Sequence, residues 1–424
     1  MPSQPSPRSA SRVLANRKFF FLVLALAIIL LVSTEGCGGG ANGITSLPPP
    51  PRTYTTIDAP GAAAVPQVYE QGTFVTGLND AGEVAGTLYD GVGSGHGFFR
   101  SSDGQFTVFD GPQAYSGFAL GTWAAAINRS GTIVGSYTMS VPPLLLPFPF
   151  PVRYLVDGFV RTKDGTITLE FASFDLPITP KAVPSVNLFG IDDNGHTGAF
   201  VITDEDAFYG FVQTTTPSGA LTGATFSPAG PPSSDTGLRI WSASLTSNGV
   251  VLGRMAGSDL VYHSYVFDPS QGSQWVDFPS QGTTTIAYSG TQISSMNTSG
   301  TIVGTFTDAS SIPHSFVRSP DGTFSMIDPP GTVSTAPPGG SGLTGSSCYG
   351  INDSGFIVGQ YTDTNFITHG YVRDPQGNFT TLDAPNASQT RRSMGTSATA
   401  INGSGAIIGQ YFDAQGVRHG FIRQ

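Results

Sequence analysis

From residue 53 onward the chain alternates short apolar runs with clusters of Gly, Asn, Asp and Ser. One stretch shows the pattern plainly: Gly350-Ile351 leads into Asn352-Asp353-Ser354-Gly355, then Ile357-Val358-Gly359-Gln360-Tyr361. His369-Gly370-Tyr371-Val372-Arg373 follows, and after Gly377 comes Phe379-Thr380-Thr381-Leu382-Asp383-Ala384-Pro385. Each apolar run has strand length, and Asn, Asp and Gly between the runs supply the left-handed angles of tight hairpins. The stretch predicts four short antiparallel strands.

The same order recurs along the chain. Its turn glycine appears at Gly82, Gly131, Gly195, Gly249, Gly300, Gly355 and Gly405, with separations of 49, 64, 54, 51, 55 and 50 residues. A period near fifty is the size of a four-stranded propeller blade. Two columns support radial packing of such blades. Gly77, Ala126, Gly190, Ser244, Ser295, Gly350 and Ala400 are small, and each is followed by an apolar residue: Leu78, Ile127, Ile191, Leu245, Met296, Ile351 and Ile401. Alternation sends one column to a crowded face and the other to the space between sheets. The seventh unit stops at Gln424, before a fourth strand, whereas Thr53-Tyr54-Thr55-Thr56-Ile57-Asp58-Ala59-Pro60 is a fourth strand without its first three. The pattern predicts an all-β, seven-bladed β-propeller over residues 53–424, its last blade closed by the N-terminal strand.

The segments Asn-Asp-x-Gly-x-Ile-Val-Gly-x-Tyr, His-Gly-Phe and Phe-Thr-Thr-Ile-Asp-x-Pro together resemble the extracellular repeat of the HAF family, over essentially residues 53–424. The resemblance implies an extracellular location and no particular biochemical activity. Unit three departs most, with Asp192 in place of the Asn and His196-Thr197-Gly198-Ala199 interrupting the Ile-Val-Gly run.

The first residues have a different character. Residues 1–18 are polar and basic, and Phe19–Val32 is an unbroken apolar run of 14 residues, the length of a signal-peptide core rather than a spanning helix. Ser33-Thr34-Glu35-Gly36-Cys37 resembles a lipoprotein signal in which Cys37 becomes the lipidated N-terminus. Glu35 departs from that pattern, and an uncleaved anchor or an ordinary signal peptide are the alternatives. All three export the domain, which would be periplasmic or at the cell surface. Residues 1–36 are therefore assigned as a lipoprotein-type signal peptide and 37–52 as a Gly/Pro-rich tether.

Charge narrows the function further. The net charge is −10, and removal of residues 1–36 leaves 15 basic and 28 acidic side chains, or −13. Such a surface repels phosphate backbones, and no Lys/Arg cluster follows Lys18, so nucleic acid is discounted as a partner. Only two cysteines occur. Cys348 has no basic neighbour to activate it and reads as a bland, partly buried thiol.

In a four-stranded blade the one-to-two and three-to-four turns share one face. The two-to-three loops and the blade connections share the other. The first set is short, while the second varies, as in Pro112–Ala124, Pro228–Ile240 and Pro330–Cys348. Variable loops on a rigid scaffold are where binding surfaces lie, although loops also drift in length at little cost. Tyr115, Phe118, Trp123 and Trp241, placed on connections, are the candidate ligand contacts, or else core residues. The insertion between Met139 and Tyr154 alternates Pro with apolar residues. It reads as an extended segment whose Leu144, Leu145, Leu146, Phe148 and Phe150 form an apolar patch or fold over the disc.

His96, His263, His314, His369 and His419 occupy one repeat position, with Asp157 and Tyr209 filling it in the other two units. Repetition by blade points to a structural role, each ring bonding a neighbouring turn, and no metal site is assigned. Asp204-Glu205-Asp206 lacks the spacing of a calcium loop and reads as a solvated loop. Nucleophile elbows, zinc motifs and phosphate loops are absent from the sequence, so no catalytic residue and no cofactor is assigned. The function these features favour is an exported, lipid-anchored binding or scaffolding module for a glycan or protein. The alternative is a propeller hydrolase or lyase with its site at the channel mouth.

Overall fold

All seven turn glycines adopt the left-handed conformation, with φ between 79° and 87°. Each closes a tight turn between the first two strands of its unit. The computed structural model describes residues 53–64, 71–117, 120–140, 154–169, 185–202, 208–215, 221–226, 239–256, 261–279, 289–335, 344–390 and 395–424. The chain divides at Val32/Ser33, and every described residue falls in the Ser33–Gln424 unit. Among the described residues no helix is long and apolar enough to cross a membrane.

The described residues are all-β, in consecutive antiparallel groups of four strands. Unit one comprises Gly72–Leu78, Val84–Tyr89, Gly95–Arg100 and Phe106–Phe109. Unit two comprises Thr122–Ile127, Ile133–Ser140, Tyr154–Arg161 and Ile167–Leu169. Units three and four are Ser185–Ile191, His196–Ile202, Phe208–Thr215, Leu221–Phe226 and Arg239–Leu245, Val251–Ala256, Tyr262–Asp268, Gly272–Trp275. Units five and six are Thr291–Met296, Ile302–Thr307, Pro313–Arg318, Phe324–Met326 and Ser346–Ile351, Ile357–Thr362, Thr368–Arg373, Phe379–Leu382. Thr396–Ile401, Ile407–Phe412 and Arg418–Arg423 begin unit seven, and Tyr54–Ile57 pairs with its third strand.

Every unit but the third is organised around an aromatic ring lying on a glycine. Gly86, Gly135, Gly304, Gly359 and Gly409 on second strands sit opposite Phe98, Phe159, Phe316, Tyr371 and Phe421 on third strands. A Cβ on Gly359 would stand 2.1 Å from the Ser347 carbonyl oxygen and 2.8 Å from the Tyr371 ring. The carbonyl comes this close beside a bulge in the first strand, where the register shifts between Cys348 and Gly350. Between units, apolar side chains interdigitate. Val358, Leu382, Ala398, Ile401 and Phe421 form one such cluster between units six and seven.

The N-terminal strand Tyr54–Ile57 repeats the geometry of the ordinary fourth strand. Tyr54, Thr55, Thr56 and Ile57 oppose Arg423, Ile422, Phe421 and Gly420, as Phe379, Thr380, Thr381 and Leu382 oppose Arg373, Val372, Tyr371 and Gly370. Thr56 Oγ1 lies 3.2 Å from the Tyr411 hydroxyl, and Thr381 Oγ1 lies 3.0 Å from that of Tyr361. Arg423 stacks over Tyr54 at 5.8 Å, as Arg373 does over Phe379 at 5.9 Å.

Two expectations change and one holds. Trp123 and Trp241 do not lie on connections: they sit in first strands, Thr122–Ile127 and Arg239–Leu245, because strand pairing begins earlier than the turn-rich sequence suggested. Tyr209 fills the histidine column of unit three, as the sequence pattern suggested. The register pairs Val201 with Tyr209, as it pairs Tyr361 with His369, and Ala199 with Phe211, as it pairs Gly359 with Tyr371. Unit three lacks the repeat glycine: Ala199 stands at that position, paired with Leu188 as Gly359 is with Cys348. Cys348, expected to be partly buried, is fully buried, and burial pushes its thiol up to about 12.

Candidate functional site

The antiparallel order puts the two-to-three loops and the unit connections at one end of every sheet. At that end each column histidine begins the third strand, between two loops that carry aspartates. His369 Nδ1 lies 2.8 Å from Asp383 Oδ1, and its Nε2 lies 3.6 Å from Asp363 Oδ2. The imidazole stacks on Tyr361, the ring centroids 5.3 Å apart. His314 repeats this with Asp328, Asp308 and Phe306, and His419 with Asp58, Asp413 and Tyr411. His96 meets Asp110 and Asp90, and His263 meets Asp277. In unit two the column residue is Asp157, which accepts a bond from the Tyr137 hydroxyl at 3.2 Å.

Four of these imidazoles lie between carboxylates on opposite sides, so the carboxylates hold a ring rather than converge on an ion. Among the described residues no group of three or more His, Cys, Asp or Glu side chains could hold a metal. Bonds to Asp328, Asp383 and Asp58 raise the pKa values of His314, His369 and His419, outweighing a burial effect of opposite sign. The arrangement is a clip between loops. It ties the two-to-three loop to the connection, and in unit seven it ties the N-terminal strand to the rest.

The same end carries a row of rings and cations across units seven, one and two. The Arg418 guanidinium lies 4.7 Å from the Phe412 ring centroid and 3.9 Å from that of Phe74. Phe74 meets Tyr89 edge-on at 5.2 Å, and Trp123 Nε1 donates to the Tyr89 hydroxyl at 2.9 Å. Tyr115, on the connection above, is 41% exposed. Its loop is anchored by the Gly117 N–H donating to Ser94 Oγ at 2.7 Å. Aromatic faces beside fixed polar groups are the usual composition of a ligand surface.

The structure thus brings Trp123 and Tyr115 to the connection end. Trp123 is half-buried and bonded to Tyr89. Trp241 stands at the first-strand bulge of unit four, where the register shifts between Ile240 and Ser242, and its side chain lies outside the described residues. Phe118, Cys37, Asp204–Asp206, and Leu144, Leu145, Leu146, Phe148 and Phe150 also lie outside them. Sequence reasoning missed Tyr89, Phe412 and Arg418. The signal was a departure from the repeat, since Thr138, Thr307 and Thr362 occupy the position that Tyr89 and Phe412 take.

The opposite, turn-bearing end is stitched by Asn side chains. Asn352 Oδ1 accepts the Phe356 N–H within its own turn, and its Nδ2 donates to the Asn402 carbonyl of the next unit at 3.0 Å. Asn402 donates likewise to Asn79 at 3.0 Å, Asn79 to Asn128 at 3.2 Å, and Asn128 to Asp192 at 3.0 Å. Asp80 bonds the Gly403 N–H at 2.9 Å, and its carboxyl pKa is raised by burial and by nearby Asp193 and Asp353. In unit three, Asp192 Oδ2 instead holds His196 Nδ1 at 2.5 Å.

No protein-family model matches the chain, and no curated protein matches it. Several solved structures are similar at low identity. Porphyromonas gingivalis dipeptidyl peptidase 4 aligns with 80% of this chain at 12% identity and a TM-score of 0.41, and this chain spans 56% of its length. Puromycin hydrolase aligns with 84% of the chain at 11% identity and a TM-score of 0.41, over 59% of its own length. AofleA from Arthrobotrys oligospora aligns with 83% of this chain and 94% of its own, at 11% identity and a TM-score of 0.37.

Proposed function

We propose that this chain is a seven-bladed β-propeller, closed by its N-terminal strand, that serves as an exported binding module for a glycan or a protein. The observation that carries the reading is the asymmetry between the two ends of the sheets. At the turn end, similar tight turns are stitched to the next unit by Asn side chains in five units. At the connection end, loops of different length surround the Phe412–Arg418–Phe74–Tyr89–Trp123 row. Closure is supported by the strand Tyr54–Ile57 in fourth-strand register and by the Asn402-to-Asn79 bond, which links the last unit to the first.

Export rests on the N-terminal run and on the HAF-like repeat. Lipidation at Cys37 is its anchoring step, testable by metabolic labelling with a fatty-acid probe in parent and Cys37→Ala chains. The binding reading is tested by thermal unfolding of the full chain in detergent against a panel of neutral and acidic glycans. A ligand that binds only the native state raises the transition by mass action. We expect a shift with at least one glycan, reduced by Trp123→Ala. A panel without any shift would remove the glycan and leave a protein partner or a spacer role.

A second reading, a propeller hydrolase or lyase, draws on His196. Its Nδ1 is held by the buried Asp192, and its Nε2 has no hydrogen-bond partner among the described residues. Turnover on ester, lactone and polysaccharide panels that is lost in His196→Gln would favour it.

A further inference from the structure

We infer that Arg254 is an anion-binding residue that takes the carboxylate of an acidic sugar into the seam between units four and five. The inference rests on the glycan reading above and gives it a ligand class.

Arg254 breaks the repeat. It occupies the second-strand position that follows the repeat glycine, where the other units have Thr87, Ser136, Phe200, Thr305, Gln360 and Gln410. None of those carries a charge. In three units this side chain performs one scaffold task, accepting an N–H from the first strand of the next unit. Thr87 accepts from Ala124 at 3.1 Å, Ser136 from Leu188 at 3.2 Å and Thr305 from Cys348 at 3.3 Å. In unit four Ser264 has taken over that task. Its Oγ accepts the equivalent N–H, that of Ile293, at 3.0 Å and donates to the Thr291 carbonyl at 2.8 Å. The scaffold therefore does not need the guanidinium.

The guanidinium also has no counter-charge among the described residues. Nη1 donates to the neutral Gln292 Oε1, and the group lies 4.7 Å from the Tyr262 ring centroid. Nε is buried without a hydrogen-bond partner, and no carboxylate pairs with Arg254 among the described residues. Burial lowers its pKa, but a guanidinium stays protonated in proteins. A desolvated charge without a counter-charge is strongly disfavoured, whereas a carboxylate supplies opposite charge and two acceptors for a planar fork.

Location and overall charge narrow the ligand. Arg254 lies two residues before the end of its strand, Ala256, at the connection end. The chain without residues 1–36 carries a net charge of −13, so a polyanion is repelled while an isolated carboxylate on a largely neutral sugar is tolerated. A hexuronate unit has that chemistry.

The test compares thermal unfolding of the full chain, Arg254→Gln and Arg254→Lys with glucuronate, galacturonate, galactose and acetate. The parent should show a transition raised by a hexuronate more than by acetate or galactose. Arg254→Gln should lose that rise, and Arg254→Lys, which keeps the charge without the fork, should retain only part of it. Without ligand, Arg254→Gln should unfold no earlier than the parent, since it removes an uncompensated charge. An equal rise in parent and Arg254→Gln, or no rise with either hexuronate, would overturn the proposal. So would a large loss of stability in unliganded Arg254→Gln, because Arg254 would then be a scaffold residue. An equal response to acetate would overturn the acidic-sugar assignment. A neutral glycan that still binds Arg254→Gln would leave the binding module standing while this site falls.

Discussion

At the residue scale the turn asparagine does two jobs, and only one of them belongs to its own turn. Its Oδ1 accepts a local N–H, a task that Asp or Thr performs equally well, as Asp192 does for His196 and Thr246 does for Val250. Its Nδ2 donates to the next unit, and neither Asp nor Thr carries that donor in this position. Asn352→Asp should therefore keep the turn and lose the stitch to Asn402, leaving a buried carbonyl short of a partner beside a buried carboxylate. The expected cost is about 1–3 kcal/mol, read as a lower urea midpoint with an unchanged slope. An unchanged midpoint would show that turn chemistry alone selects Asn. The turn itself was legible in the sequence, because Asn-x-x-Gly is a local signal. The stitch was not, because its acceptor lies 50 residues away and is a backbone atom with no side-chain signature.

At the scale of the element, the informative strand is the shortest kind. Tyr54–Ile57 has four residues and could not hold a β-structure alone. What fixes it is a set of contacts already used by the ordinary fourth strands. Thr53 and Gln424 exchange backbone bonds of 2.7 and 2.9 Å, His419 meets Asp58 at 2.7 Å, and the Ala59 N–H donates to Thr73 at 3.0 Å. Ile57 is fully buried among Val75, Leu78 and Ile422. Ile57→Ala should cost about 2–5 kcal/mol, and deletion of residues 53–58 should leave Arg418–Arg423 as an open edge prone to pairing with another chain. Unfolding midpoint and size-exclusion profile read the two effects, and a monomeric deletion variant of parent stability would refute the closing role. This element was legible because Tyr54-Thr55-Thr56-Ile57-Asp58 matches Phe379–Asp383 in residue type at every position. The start of each first strand was harder. Gly72, Gly121, Gly290, Gly345 and Gly395 back onto the preceding unit's third strand, and a Cβ there would stand 1.9 to 2.2 Å from a carbonyl oxygen. The recurring Gly-Thr or Gly-Ser pair was visible in the sequence, but turn-like composition around it made Trp123 and Trp241 look like loop residues.

Across the whole molecule the His–Asp clips make stability a function of pH. His314, His369 and His419 have folded pKa values above the ordinary 6.5 because aspartates hold the protonated ring. Their contribution is complete below the unfolded value and disappears as pH rises through the folded one. Asp363 and Asp413 act in the opposite direction. Burial opposes their ionisation, but bonds from Ile367 and Asn365, and from Val417 and His419, outweigh it and hold both carboxyls below 3.8. Their contribution is complete above the unfolded value and is lost as pH falls through the folded one. The clips therefore stabilise most between roughly pH 4 and 6.5, and the melting temperature should decline as pH is raised from about 6 to about 9. In the triple variant His314→Gln, His369→Gln, His419→Gln the decline should flatten, with the parent's advantage greatest near the acid end of that range. A parent whose melting temperature holds constant or climbs over that range would mean that the rings are neutral in the fold, and that the clips act by packing alone. Because the clips sit on three separate units, the same variants separate local from global effects. If the units melt together, each single substitution should lower one common transition; if unit seven opens first, His419→Gln alone should split the curve, because its partner Asp58 directly follows the N-terminal strand Tyr54–Ile57.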